Sequence, residues 1–350
     1  MSRYPHTLSV VVPCYNEAAN IPALISTLAK VLGEVERLQY EIILVDDGST
    51  DDTFNALKSL RDTNPRVSWI RFVRNFGKEA ALLAGMKSAR GDGVVTMDAD
   101  LQHPPELLPE MIAKWKEGHD IVQTVRLGRP TVTSSLWGQC FYLLLNWMSD
   151  VPLADGTADY RLISRRALDV LLALPENMKF LRGMVAWLGF PSVSITFTAP
   201  NRHAGKTTYN VRSLTGLATD AIVTLTSKPL NLALYIAGFT LLIAVLYGAF
   251  VLFAFSRGLV LVKGWTSTIL LILFLGTANL FCTGVLGLYL RAVLAETRRR
   301  PNYVISDCAP ASIPIRPWSI PAEQVANSSP VGVALDDQHS SSLVQQKERK

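Results

Sequence analysis

Residues 40–62, YEIILVDDGSTDDTFNALKSLRD, decide how the rest of the chain is read. Ile42 to Val45 form a continuous apolar run, as strands buried on both faces do. The run breaks at once on two acids, Asp46 and Asp47, and a Gly-Ser-Thr turn. TFNALKSLRD then has helical spacing, with Thr50 or Asp51 placed to cap it.

The same unit recurs on either side. LSVVVPCYNE (8–17) reads as a buried strand breaking at Pro13, and IPALISTLAKVLGEV follows with helical spacing. VSWIRFVRN is a third strand, and KEAALLAGMKSARG a helix ending at Gly91. VVTMDAD is a fourth strand, PELLPEMIAKWKEG a helix and HDIVQTVR a fifth strand. Strands alternating with helices predict an α/β fold with a doubly wound, mostly parallel sheet. Ligands of such sheets bind beyond the carboxyl ends of the strands. Asp46, Asp47, Asp98 and Asp100 all fall there. Beyond Arg126 the pattern is less regular: 134–150 predicts an amphipathic or buried helix, 155–176 a loop and a helix, and 214–227 a helix along a membrane surface.

The pair Asp98 and Asp100, with Ala99 between, has its own logic. On an extended segment residues i and i+2 point to one side, so two hard oxygen donors can meet one cation, with Gln102 adding a neutral oxygen. Such donors suit Mg²⁺ or Mn²⁺, which commonly bridge carboxylates to substrate phosphates. The competing reading is that both aspartates cap the next helix. No G-x-x-x-x-G-K-[ST] loop is present, and no G-x-G-x-x-G follows the first strand, so neither phosphate cradle applies.

Of the 350 residues, 49% are hydrophobic, and the mean hydropathy is +0.23. The excess lies in the last third. Residues 230–255 and 265–290 are free of charge, 26 residues each. As helices they would be roughly 39 Å long, enough to cross a hydrocarbon core of roughly 30 Å. The short linker between them predicts a transmembrane hairpin. Arg202, Lys206, Arg212 and Lys228 precede it and Arg291, Arg298, Arg299 and Arg300 follow it, which puts both ends in the cytoplasm. The N-terminal residues hold no apolar signal stretch. Four scattered cysteines indicate neither a zinc site nor a disulfide framework. The net charge of +5 suits an anionic membrane or a phosphate-bearing substrate as well as it suits nucleic acid. Small residues in GTANLFCTGVLG offer a face for homo-oligomerisation. The tail after Arg300 reads as disordered from its Pro, Ser, Gln and charge.

Four ordered motifs, SVVVPCYNEAANI, EIILVDDGSTDDT, RNFGKEAALLAGMKSARGD and MDADLQHPPE, resemble glycosyltransferase family 2 with its GT-A fold. DYRLISRRALDVL, FLRGMVAWLGF and RHAGKTTYN, followed by two spans, resemble its polyprenyl-phosphate branch. The resemblance covers roughly residues 8–300; with the apolar runs and the tail composition, the expected organisation is a cytoplasmic GT-A catalytic domain over 1–200, a juxtamembrane amphipathic segment over 201–229, spans at 230–255 and 265–290, and a cytoplasmic tail over 291–350, disordered after about 305. It implies a multi-pass enzyme of the inner membrane that moves a hexose with inversion from a nucleotide sugar, UDP-glucose first among donors, to polyprenyl phosphate. No nucleic-acid partner is implied. Carried over by residue, Pro13, Tyr15 and Glu17 flank the nucleoside and Asp47 hydrogen-bonds the base. Asp98, Ala99 and Asp100 line the sugar nucleotide, and Asp98, Asp100 and Gln102 approach a Mg²⁺ or Mn²⁺ ion. Arg126 and Arg202 face phosphates. Asp159 serves as base or acceptor-orienting group, against a competing reading as a helix cap. The branch's usual lysine is replaced by Thr208, with Lys206 two residues earlier as the candidate substitute. Arg161, Arg165 and Arg166 suit either the lipid phosphate or a solvated helix face, and Lys78 suits the start of a solvated helix. The Q-x-x-R-W motif of processive synthases is absent. An aminoarabinose-type or mannose donor, and a non-catalytic sugar-nucleotide-binding module on a membrane anchor, remain as alternatives.

Overall fold

The computed structural model describes residues 6–127, 157–174, 181–198, 228–257, 265–298 and 300–312. Its centre is an eight-stranded sheet in the order β7-β5-β6-β4-β1-β2-β3-β8. The strands are β1 (His6–Cys14), β2 (Leu38–Asp46), β3 (Val67–Phe72), β4 (Gly93–Thr96), β5 (Ile121–Leu127), β6 (Thr157–Ser164), β7 (Ser192–Thr198) and β8 (Ile305–Ala309). β4, β1, β2 and β3 run parallel, as do β5 and β7; β6 and β8 are antiparallel to their neighbours. The expected α/β class with a mostly parallel sheet is therefore observed.

Successive residues of a strand face opposite ways, and each side has its own core. Val10, Val12, Ile42 and Leu44 pack with α1 (Ile21–Gly33), α2 (Thr53–Thr63) and α4 (Leu108–Lys116). Val11, Ile43 and Val45 pack on the other side with α3 (Lys78–Ser88), α5 (Arg165–Ala173) and α6 (Leu181–Trp187). Burial on both faces is why the central strands read as apolar runs rather than alternations.

Several expectations are corrected. β1 does not break at Pro13 but runs on to Cys14, with Pro13 opposite Val45 of β2. The β1–β4 ladder has already ended at Val11, so the missing Pro13 N–H deprives no partner there. α3 stops at Ser88 rather than at Gly91. The N-cap of α2 is Asp52 rather than Thr50 or Asp51; Asp51 accepts instead from the N–H of Thr53, the first residue of the helix, at 3.0 Å. β4 ends at Thr96, so Asp98 and Asp100 lie beyond the strand, in a loop that turns at Ala99 and Asp100. The loop expected before Arg165 is β6, inserted between β4 and β5. Its Arg161 is only 4% exposed, so a charge that looks like loop is buried. The tail is not disordered from residue 305: β8 pairs with β3, and Tyr303 stacks on Phe72 with ring centroids 5.0 Å apart. Tyr303 and Ile305 are buried, which is apolar area enough to seat a short strand in a Ser- and Pro-rich stretch. The sheet is thus not contained in residues 1–200.

Two long helices, α7 (Lys228–Ser256) and α8 (Trp265–Thr297), follow the main body and touch each other. Both are long and apolar enough to cross a membrane. The helices expected over 134–150 and 214–227 lie outside the described residues.

Candidate active site

The site is built at the carboxyl-terminal edge of the parallel strands. After β1, Tyr15 is 45% exposed and Asn16 takes a left-handed conformation (φ 57°). Asn16 cross-links the first two loops: its N–H donates to Ser49 Oγ at 3.0 Å, and its side-chain oxygen accepts from Thr50 N–H at 2.9 Å. Glu17 accepts from the Asn20 amide at 2.6 Å, and its own N–H donates to Thr53 Oγ1 at 2.9 Å.

The acids after β2 have internal partners. Asp46 accepts from Ser49 N–H at 2.9 Å. Asp47, buried, accepts from Phe76 N–H at 2.7 Å and Gly77 N–H at 2.9 Å, which fixes the loop after β3. Burial raises the Asp47 pKa, opposed by those two N–H donors. Gly48 makes this close approach feasible. Its φ is +68°, and a Cβ there would stand 2.4 Å from the Arg74 carbonyl carbon.

The turn after β4 carries the aspartates. Asp98 N–H donates to His103 Nδ1 at 3.0 Å. Asp100 Oδ1 accepts from Gln102 N–H at 3.1 Å, and Leu101 between them is left-handed (φ 58°). The Gln102 side-chain oxygen accepts from Arg126 at 3.2 Å, which brings the end of β5 to the same turn. Ala99 is buried beneath. Burial lowers the His103 pKa, and the ring stacks on Tyr160 at 5.2 Å. Among the described residues, no group of three or more His, Cys, Asp or Glu side chains is gathered as a metal cage. Asp98, Asp100 and Gln102 are nevertheless hard oxygen donors on one turn, and this chemistry suits a Mg²⁺ or Mn²⁺ ion that takes one or two carboxylates and completes its shell from phosphates and water.

Asp159 stands at the start of β6. Because β6 runs antiparallel to β4, its first residues lie beside the last of β4, with Thr96 opposite Arg161. Asp159 is thereby delivered to the carboxyl-terminal edge of the parallel strands and is not a helix cap; Ser164 caps α5. Three cations hold it. Arg182 of α6 donates from Nε at 2.6 Å and from NH2 at 2.9 Å, Lys78 Nζ from 2.9 Å and Arg161 NH2 from 3.2 Å. Burial opposes ionisation of Asp159, but the Arg182 hydrogen bonds and the charges of Lys78, Arg182 and Arg161 hold its pKa well below the usual value. Behind it Leu82, Met86, Ile163, Leu181 and Val185 line an apolar hollow.

Lys78 also reaches Asp98 Oδ1 at 2.5 Å and so joins the β4 turn to β6. Burial alone would lower its pKa; Asp98 and Asp159 reverse this and raise it. Burial, then Asp159, raises the pKa of neighbouring Glu79.

A model of the family described as "Glycosyl transferase family 2" matches residues 9–172, from β1 through α5. The chain is 37% identical over 309 residues to "Putative glycosyltransferase CsbB" of Bacillus subtilis (strain 168), covering 88% of this chain and 92% of that one. The chain belongs to glycosyl transferase family 2. This family-2 chain is also 35% identical over 305 residues to "Bactoprenol glucosyl transferase" of Shigella phage SfV, covering 86% of this chain and 98% of the relative. Among solved structures, the glucosyl-3-phosphoglycerate synthase of Mycobacterium tuberculosis with Mn²⁺, UDP-glucose and phosphoglyceric acid is similar with a TM-score of 0.45 and 23% identity, over 63% of this chain and 78% of that one.

Of the residues expected at the family-2 site, Pro13, Tyr15, Glu17, Asp47, Asp98, Ala99, Asp100, Gln102, Arg126 and Asp159 all stand at this sheet edge or on the loops beyond it. Arg202, Lys206 and Thr208 lie outside the described residues. Sequence reasoning undervalued three side chains. Lys78 opens α3, where the helix dipole disfavours a cation; that misfit was the available signal. Arg182 is a lone base in the apolar run LRGMVAW. Arg161 faces Asp159 rather than solvent. Arg166 pairs with Asp120, and Arg165 donates to the Ala89 and Gly91 carbonyls.

Proposed function

We propose that this chain transfers a hexose, with UDP-glucose as the first donor to test, to a polyprenyl phosphate, with inversion at the anomeric carbon. The observation that carries the reading is the meeting of Asp98 and Asp159, from distant parts of the chain, on one lysine at the sheet edge. The relative named bactoprenol glucosyl transferase, matched over 98% of its length, supports the acceptor class. The two apolar helices support a membrane location.

In this reading residues 230–255 and 265–290 cross the inner membrane as a hairpin, and the sheet domain and both termini face the cytoplasm. Pro13, Tyr15, Glu17 and Asp47 border the nucleoside, while Ala99 and Asp100 line the sugar. Arg126, Arg202 and Lys206 counter phosphate charge. Asp98, Asp100 and Gln102 hold Mg²⁺ or Mn²⁺, which when bound neutralises charge developing on the leaving diphosphate. An oxygen of the lipid phosphate attacks the anomeric carbon as the bond to the diphosphate breaks. A phosphate monoester has its second pKa near about 6, so the nucleophile is already ionised at neutral pH. Asp159 therefore orients the acceptor through its arginines rather than removing a proton.

The test uses full-length protein in detergent with undecaprenyl phosphate and a panel of radiolabelled nucleotide sugars that includes UDP-glucose, a mannose donor and an aminoarabinose donor. Transfer of label to lipid that ceases in excess EDTA is expected. Transfer undiminished by EDTA would remove the metal, and neither transfer nor donor hydrolysis would leave a binding module.

A further inference from the structure

Lys78 is placed where a cation has little local reason to be. It is the first residue of α3, against the helix dipole, and its side chain is two-thirds covered. The loop that presents it is fixed beforehand, because Asp47 binds the N–H groups of Phe76 and Gly77 immediately upstream. Gly77, with φ +102°, turns the chain into the helix.

Its two carboxylates are not equally dependent on it. Asp159 has Arg182 and Arg161 besides. Asp98 is met by Lys78 at 2.5 Å on Oδ1, while His103 Nε2 stands 3.8 Å from Oδ2, beyond hydrogen-bond reach. An ammonium at that distance compensates the negative charge that Asp98 would otherwise offer to a metal ion. Ammonium and divalent cation thus compete for Asp98, and the doubly charged ion gains most once a diphosphate adds its own oxygens.

We propose that Lys78 is the resident counter-ion of Asp98, displaced by the divalent cation that arrives with the donor and left paired with Asp159 on the acceptor side. This rests on Asp98 being a cation ligand in the proposed function. The lysine keeps Asp98 compensated in the empty site, so Mn²⁺ alone binds weakly and the cation is taken up together with its nucleotide.

The experiment is a Mn²⁺ titration of full-length protein in detergent without nucleotide, reading free Mn²⁺ by electron paramagnetic resonance. Lys78→Met is expected to tighten Mn²⁺ binding by about threefold to tenfold, the worth of one half-buried ion pair. Lys78→Arg keeps the charge and stays within about twofold of wild type. Asp98→Asn abolishes the binding in both the wild-type and Lys78→Met backgrounds. Circular dichroism checks folding, and Lys78→Gln carries the same comparison if Lys78→Met does not fold. Equal or weaker Mn²⁺ binding in the folded neutral variant, or no Mn²⁺ binding in any variant, overturns the proposal. Sugar transfer by wild type is assayed separately: its absence with the competition intact sinks the acceptor reading alone, and its presence with no competition sinks the counter-ion alone.

Discussion

Asp159 shows how environment sets the role of a side chain. A buried carboxylate that takes hydrogen bonds from Arg182, Lys78 and Arg161 is a poor proton acceptor near neutrality. Its folded pKa is depressed, so its contribution to stability is complete above about pH 4 and is lost only as pH falls through the depressed value. The acid limb of kcat/KM is therefore expected near about pH 6, where the acceptor phosphate takes up a proton. A limb near about pH 4 in the wild-type profile would assign it to an ordinary carboxylate instead. Asp159→Asn leaves three cations short of their anion and is expected to lower turnover by about a hundredfold through misplacement. Asp100→Ala is expected to lose turnover on the same scale, and near wild-type turnover would remove it from the site. At the opposite end of the strands Glu41 is fully buried, accepts from Ser9 at 2.6 Å and pairs with Arg90. Glu41→Ala takes the buried carboxylate away from that guanidinium and is expected to cost about 3–5 kcal/mol, read by thermal unfolding in detergent.

Among the elements, β8 and the loop after β3 belong together. Val73 N–H donates to the Val304 carbonyl at 3.1 Å, and Phe72 lies between Tyr303 and Phe76. The strand that follows α8 therefore packs against the loop that leads into Lys78. Tyr303→Ala removes a buried ring and is expected to cost about 3 kcal/mol in thermal unfolding. Gly48→Ala forces a Cβ into the Arg74 backbone and is expected to cost at least about 2 kcal/mol while weakening nucleotide binding. Two strands, β8 and β6, were not legible as such. β8 is five residues inside a polar tail, too short to show a period. β6 hid because Tyr160, Arg161 and Leu162 are all buried, and a buried arginine breaks the apolar pattern on which strand recognition rests.

For the whole molecule, the C-terminal third closes the edge of the sheet as well as supplying the apolar helices. A chain ending after Ser312 keeps β8, whereas one ending before α7 bares the β3 edge along with Phe72. The shorter chain is expected to aggregate on purification, and the longer one to behave as the full protein does by size exclusion in detergent; exposed strand edges pair with other chains. A short chain that stays monomeric and unfolds at the wild-type temperature would mean that β8 adds nothing.

The amino-acid order by itself determined the alternation of strand and helix up to Arg126, the apolar runs of the central strands, the acids at the strand ends and the two long uncharged segments. These are local properties, set by side-chain period and by turn residues within a few positions. Only the tertiary structure decided the order of the strands, the reversal of β6 that carries Asp159 to the site, the seating of β8 and the sharing of Lys78 between Asp98 and Asp159. Those depend on contacts between residues tens to hundreds of positions apart: Lys78 and Arg182 acquire Asp159 as a partner only when the fold brings α3, β6 and α6 together, whereas Arg161 has it two residues away on β6.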